Sequence, residues 1–251
     1  MFKKMCPAYK MAGLQLMLSL MFVHAAAAQP WVTFDGNTRY MALGDSLSAG
    51  YAAKPATQGF VFKLYQMGVI DNLNNMLFCA AAIPNATSTD VLTYQIPQVH
   101  LFFKDTGSPY RKVITLTVGG NDAFSVVKPD GTVDIAAIPA MLANYGQNLT
   151  AILGSLVSMS DDVQVYVGNL YDPKLPIAGS EVIVGLMNQV TLQVTTAFTG
   201  RVVLVDIYSA FQGRKGLLLI EKHAAEPDQI HPTDAGYNVM AKAFADAIGR
   251  K

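Results

Sequence analysis

Five short apolar runs, each stopping at a small or acidic residue, constrain the fold of this chain more than any other feature. Tyr40–Leu43 stops at Gly44, and Met76–Ala80 runs on into further alanines. Val113–Val118 stops at Gly119-Gly120, Val163–Val167 at Gly168, and Val202–Val205 at Asp206. Each run is 4–6 residues long, and the last three are rich in β-branched residues. Runs of this kind are too short for buried helices. They suit strands covered on both faces, as in a parallel sheet.

The stretches between the runs carry helical spacing. Phe60, Leu64 and Met67 share one face, and Ile138, Leu142, Tyr145, Leu149, Leu153 and Leu156 form a long stripe. Val182, Leu186, Val190, Leu192 and Phe198 suit another helix. Val239, Ala243, Phe244 and Ile248 suit a terminal one, capped by Thr233 or Asp234. Strand and helix alternating about five times predict an α/β fold of three layers around a parallel sheet of about five strands. No repeat, linker or low-complexity tract interrupts it, so residues 29–251 read as a single domain.

Residues 1–28 read instead as a secretory signal peptide. Lys3, Lys4 and Lys10 precede the mostly apolar stretch Met11–Val23, and Ala25–Ala28 supply a small-residue cleavage site near Ala28. That stretch falls short of the ~20 residues a membrane span needs. No later segment is long and apolar enough either, so the mature chain is expected to lack a transmembrane segment and to be exported. Cleavage removes Cys6 and leaves Cys79 alone, which excludes an internal disulfide. Within its apolar run Cys79 reads as a small buried hydrophobe.

Charge narrows the function. The chain has 18 basic and 18 acidic side chains and is 51% apolar, which excludes a mainly disordered chain and gives no electrostatic basis for nucleic-acid binding. Histidine is scarce and cysteines do not cluster, so no transition-metal site is indicated. Neither G-x-G-x-x-G nor a Gly-Lys-Ser/Thr loop is present, so no nucleotide cofactor is indicated. No cofactor is expected at all.

In open parallel sheets ligands bind beyond the carboxyl ends of the strands. After the first run stands Gly44-Asp45-Ser46-Leu47-Ser48, which can hold a serine at a tight turn or be an ordinary polar turn. It is not the G-x-S-x-G nucleophile elbow of the α/β-hydrolases. After the third run stands Gly119-Gly120-Asn121-Asp122, where Asn121 offers an uncharged amide donor to a developing oxyanion. Near the end stands Asp228-Gln229-Ile230-His231-Pro232. A carboxylate three residues before a histidine can orient its ring, or both can be polar turn residues. The other mature histidines, His100 and His223, lie in solvated-looking surroundings.

Taken together these segments resemble the SGNH hydrolases, also called the GDSL lipase/esterase family. Tyr40–Tyr51 is similar to the family's first block, Val118–Asp122 to its third and Asp228–Tyr237 to its fifth. The resemblance implies a flavodoxin-like α/β/α sandwich. It implies Ser46 as nucleophile, His231 as general base and acid, and Asp228 as the partner of His231. It also implies an oxyanion hole of the Ser46 N–H, the Asn121 side chain and a residue of the second block. There Asn85 stands where the family usually has glycine. Asparagine tolerates a left-handed backbone better than most residues, so its N–H can still be presented.

The substrate implied is a small-molecule or lipid carboxylic ester. An acetylated glycan is the alternative, and a non-catalytic binding protein on the same scaffold a more distant one. Tyr51, Phe60, Phe124 and Ile230 are candidates either to receive an acyl chain or to fill the core.

Overall fold

The structure is a computed structural model that describes residues 38–70, 80–103, 111–175, 177–219 and 230–249. The expected signal peptide, Cys79, His223 and Asp228 lie outside the described residues.

Strands β1 (Thr38–Gly44), β2 (Arg111–Thr117), β3 (Val163–Gly168) and β4 (Val202–Val205) form one sheet in that order, and every pair is parallel. Ala80 bridges in parallel to Ala42 on the free side of β1. It is the last residue of the second apolar run, whose other members lie outside the described residues. In chain order the principal helices are α1 (Phe60–Gln66), α2, α3 (Gly120–Phe124), α4 (Ile138–Val157), α5 (Ser180–Thr196), α6 (Ile207–Phe211) and α7 (Asp234–Gly249). Helix α2 has three segments: Ser88–Asp90, a π-helical stretch Val91–Gln95, and Ile96–Phe103.

The strands are apolar over most of their length because helices cover both faces of the sheet, with Val203 of the edge strand β4 left exposed. Side chains alternate across a strand. Met41, Leu43, Ile114, Leu116, Val165 and Val167 join the core cluster that contains residues of α2, α4 and α5. Tyr40 faces the other way, its ring meeting Tyr65 of α1 at 5.8 Å. On that side α1 and α7 pack together, with Phe60 stacked on Phe244 at 4.8 Å. The fold is thus the expected three-layer α/β/α sandwich. The Tyr40 hydroxyl is satisfied inside it by Thr115 Oγ1 at 2.7 Å. Among the described residues no helix is long and apolar enough to cross a membrane.

One helix differs in phase from its sequence pattern. In α5 the expected Val182 and Leu192 are exposed, while Ile183, Val184, Met187, Thr191 and Thr195 are buried. The cause is polar. Thr191 turns inward to meet the Tyr145 hydroxyl at 2.8 Å, and Thr191 and Thr195 also donate to carbonyls one turn back. A threonine satisfied in this way costs little to bury.

Candidate active site

The turn after β1 exists because residue 44 is glycine. Its φ is +121°, and a Cβ there would lie 1.8 Å from the Thr117 carbonyl oxygen. The chain then folds back on itself. Asp45 N–H donates to Thr117 O at 3.1 Å, and Tyr51 N–H to Ser46 O at 2.9 Å. The buried Asp45 carboxylate accepts from Leu47 N–H and from the Thr117 hydroxyl, both at 3.0 Å. Burial pushes its pKa up to about 7, against the pull of those hydrogen bonds.

Ser46 Oγ lies 2.7 Å from His231 Nε2, across 185 residues of sequence. Both residues are 8% exposed. The loop that carries His231 is held on its far side. Leu219 N–H donates to His231 O at 3.0 Å, and Thr233 N–H to Leu217 O at 2.8 Å. Thr233 then caps α7, its hydroxyl accepting from Gly236 N–H at 3.2 Å. Tyr51 lays its ring against the imidazole, with centroids 4.6 Å apart and planes tilted by 47°. Its carbonyl accepts from the Tyr237 hydroxyl at 2.6 Å. The Lys54 N–H donates to Asp234 at 3.2 Å. The first and last motifs are therefore stitched together beside the serine–histidine pair.

Asn121 and Asn85 lie on segments that are themselves joined. Asn121 Nδ2 donates to Ala86 O at 2.9 Å. An amide nitrogen carries two hydrogens, so one donor remains for an oxygen in the cleft. Asn85 is exposed and has φ +68°, the left-handed conformation its place in the motif requires. Buried Asp122 accepts from Ser88 N–H at 2.9 Å and from the Ser88 hydroxyl. Asn148 of α4 donates to that same hydroxyl at 3.0 Å. These bonds fix the Asn85 turn against the start of α3.

Ser46, Asn121 and His231 line one cleft, and Asn85 is not among its lining residues. Beyond them the lining is mostly carbon: Leu47, Ala123, Phe124 and Val127 from the segments after β1 and β2, and Leu170, Pro173, Leu175, Ile177, Ile183 and Val184 from the segment after β3 and from α5. Of the four apolar candidates, Phe124 and Ile230 face this cleft. Phe60 is core, and Tyr51 covers the imidazole instead. His100 is exposed and bonded to Ser155 at 2.8 Å. In the sequence Asp122 stands only as the last residue of the third block, without a role, and Gln95 escapes notice. The available signal for Gln95 was its place between Val91 and Val99 on an inward helical stripe, where a polar residue needs a reason to be.

A profile of the GDSL-like lipase/acylhydrolase family matches residues 42–239, which spans every motif just described. The chain belongs to that family. This GDSL hydrolase is 26% identical over 218 residues to the spore germination lipase LipC of Bacillus licheniformis, covering 84% of this chain and 97% of that one. Among solved structures it is similar to a lipase from a goat-rumen metagenome, with TM-score 0.63, 20% identity, and 85% and 99% of the two chains covered. It is also similar to an extracellular lipase from Streptomyces rimosus, with TM-score 0.60, 20% identity, and 84% and 99% covered. The GDSL hydrolase is thus a carboxylic ester hydrolase of the esterase/lipase class built on the SGNH fold.

Proposed function

We propose that this GDSL hydrolase cleaves esters of apolar acyl chains by acyl transfer through Ser46. The reading rests on one observation: the 2.7 Å Ser46–His231 pair opens onto a cleft walled by hydrocarbon. With Nε2 unprotonated, His231 accepts the Ser46 proton as Oγ attacks the ester carbonyl. The oxyanion is met by the Ser46 N–H and the second Asn121 Nδ2 hydrogen. Asn85, which does not line the cleft, is assigned as third donor on the strength of the motif and its left-handed backbone alone. His231 then gives its proton to the leaving alkoxide. Water enters, yields a proton to His231 and attacks the acyl-enzyme; the acid leaves and the proton returns to Ser46. Asp228 is assigned as the orienting partner of His231 on the strength of the motif. A cleft lined by Leu, Ile, Val and Phe rewards each methylene it buries by about 0.8 kcal/mol, which favours longer acyl chains over acetyl. Residues 1–28 are assigned as an export signal, so the enzyme acts outside the compartment of its synthesis.

Esters from two to sixteen carbons, with an acetylated sugar included, test this directly. The expected result is a kcat/KM that climbs with chain length before levelling off, together with fluorophosphonate labelling at Ser46. A preference for the acetylated sugar would replace the lipid reading with carbohydrate deacetylation. Folded protein that resists the label would point to a binding role.

A further inference from the structure

Gly44 is held by a side chain that none of the family motifs contains. Gln95 is fully buried, closes the π-helical stretch of α2, and reaches Gly44 across 51 residues. Its Oε1 accepts from Gly44 N–H at 2.8 Å, and its Nε2 donates to Gly44 O at 2.8 Å. The same Gly44 oxygen accepts from Ile83 N–H at 3.0 Å, two residues before Asn85. The next N–H, that of Asp45, is bound to Thr117 O. The peptide between Gly44 and Asp45 is therefore fixed at its carbonyl by Gln95 and Ile83 and at its nitrogen by β2. Glycine adopts many torsions at little cost, so the bonds on the N–H and carbonyl of Gly44 can select +121° among them. Ser46 is the second residue past that torsion. π-Helical bulges are uncommon and recur at functional sites.

We propose that Gln95 is a positioning residue for ester hydrolysis. Its carboxamide sets the Gly44 torsion, and through it the direction of Ser46 Oγ and the Ser46 N–H relative to His231 and the Asn85 turn. Gln95 touches no substrate and acts only through the backbone. The proposal rests on Ser46 being the nucleophile, and deepens that assignment.

The test uses Gln95→Met, which keeps the volume and removes both bonds, and Gln95→Asn, which keeps the amide but is one methylene short. Tyr40→Phe is the control, because it deletes a buried bond in the same strand away from the site. Gln95→Met is expected to lower kcat about 100-fold on acetyl and long-chain esters alike, the scale of loss when a reacting group is misplaced by about 1 Å. KM should hold, and the rate of fluorophosphonate modification of Ser46 should fall by the same factor. Gln95→Asn should lie between Gln95→Met and the unaltered enzyme, and Tyr40→Phe should lose melting temperature without losing kcat. A Gln95→Met protein that melts earlier yet keeps its kcat and labelling rate overturns the proposal. So does failure of both Gln95 variants to fold, which would assign the residue to stability. Mass spectrometry of the labelled peptide separates the two layers: a label on any residue other than Ser46 sinks the nucleophile assignment itself.

Discussion

The chain ends of β1 and β3 are both pinned by a carboxamide from a neighbouring helix, yet they lead to walls of opposite character. Gln95 brackets Gly44, and Asn188 of α5 brackets Leu170 in the same fashion, with both bonds at 2.8 Å. Past Gly44 nearly every turn is set by a directional bond, and the result is one serine at 2.7 Å from one imidazole. Past Leu170 the chain is turned by local bonds, Lys174 N–H to Asp172 at 2.8 Å and Ser180 N–H to Ile177 O at 3.1 Å, and presents the carbon of Pro173, Leu175 and Ile177 to the cleft. The first wall has one correct geometry and the second only needs to be apolar and roughly the right shape. The difference suits a division of labour, with the β1 side carrying the chemistry and the β3 side the choice of chain. The Tyr171 hydroxyl joins them, donating to Ile230 O beside His231, while its ring stacks on Phe211 at 4.7 Å.

The largest effect that could break this division is Ser46→Ala. It should lower kcat by roughly four orders of magnitude or more on every ester, with the fold intact by circular dichroism. Survival of activity would empty the bonded wall of its chemistry. Next is Asn121→Ala, where loss of one oxyanion donor should lower kcat by about 10²–10³-fold. The bond to Ala86 O is lost too, at about 1 kcal/mol of stability, so melting temperature should move little. A large drop in melting temperature, with kcat falling only in proportion to folded protein, would make Asn121 structural.

The apolar wall should answer differently. Narrowing it with Val184→Phe is expected to raise KM for long-chain esters about tenfold, the worth of one or two methylenes in such a pocket, while acetyl esters are spared. Equal loss on both classes would mean that the two walls do not divide the work.

The last test reads stability rather than turnover, at Asp45. Its folded pKa of about 7 lies above the ordinary 3.8. Such a group favours the folded state fully below pH 4 and loses that contribution as pH rises through 7, by at most about 1.4 kcal/mol per pH unit. Asp45→Asn should therefore flatten the decline of melting temperature between pH 4 and 7. An unchanged slope would place the titration elsewhere.

The bonded wall was largely legible in the sequence, and the carbon wall was not. Gly-Asp-Ser, Gly-Gly-Asn-Asp and His231-Pro232 are ordinary turns one at a time, and they stand out because they occur together, in this order, at strand ends and before the last helix. Asn85 could be anticipated as left-handed because its motif calls for glycine there. Leucine and isoleucine carry no such mark. Phe60 and Phe124 look alike in sequence, yet one is core and the other faces the cleft. The phase of α5 was misread for a related reason, since a buried threonine looks polar until its partner Tyr145 is in place. Gln95 and Asn188 stayed hidden because a carboxamide in a helix ordinarily faces water.

The stacking of Phe60 on Phe244 has a consequence for how this enzyme is made. Among the described residues, one layer of the sandwich pairs a helix from early in the chain with α7, which begins three residues after His231. A nascent polypeptide that has emerged only as far as β4 carries Ser46 but leaves Phe60 and Leu64 open to water. With His231 as the proposed base, the imidazole and the partner of that layer are supplied by the same late segment, and a chain that stops at β4 would lack both.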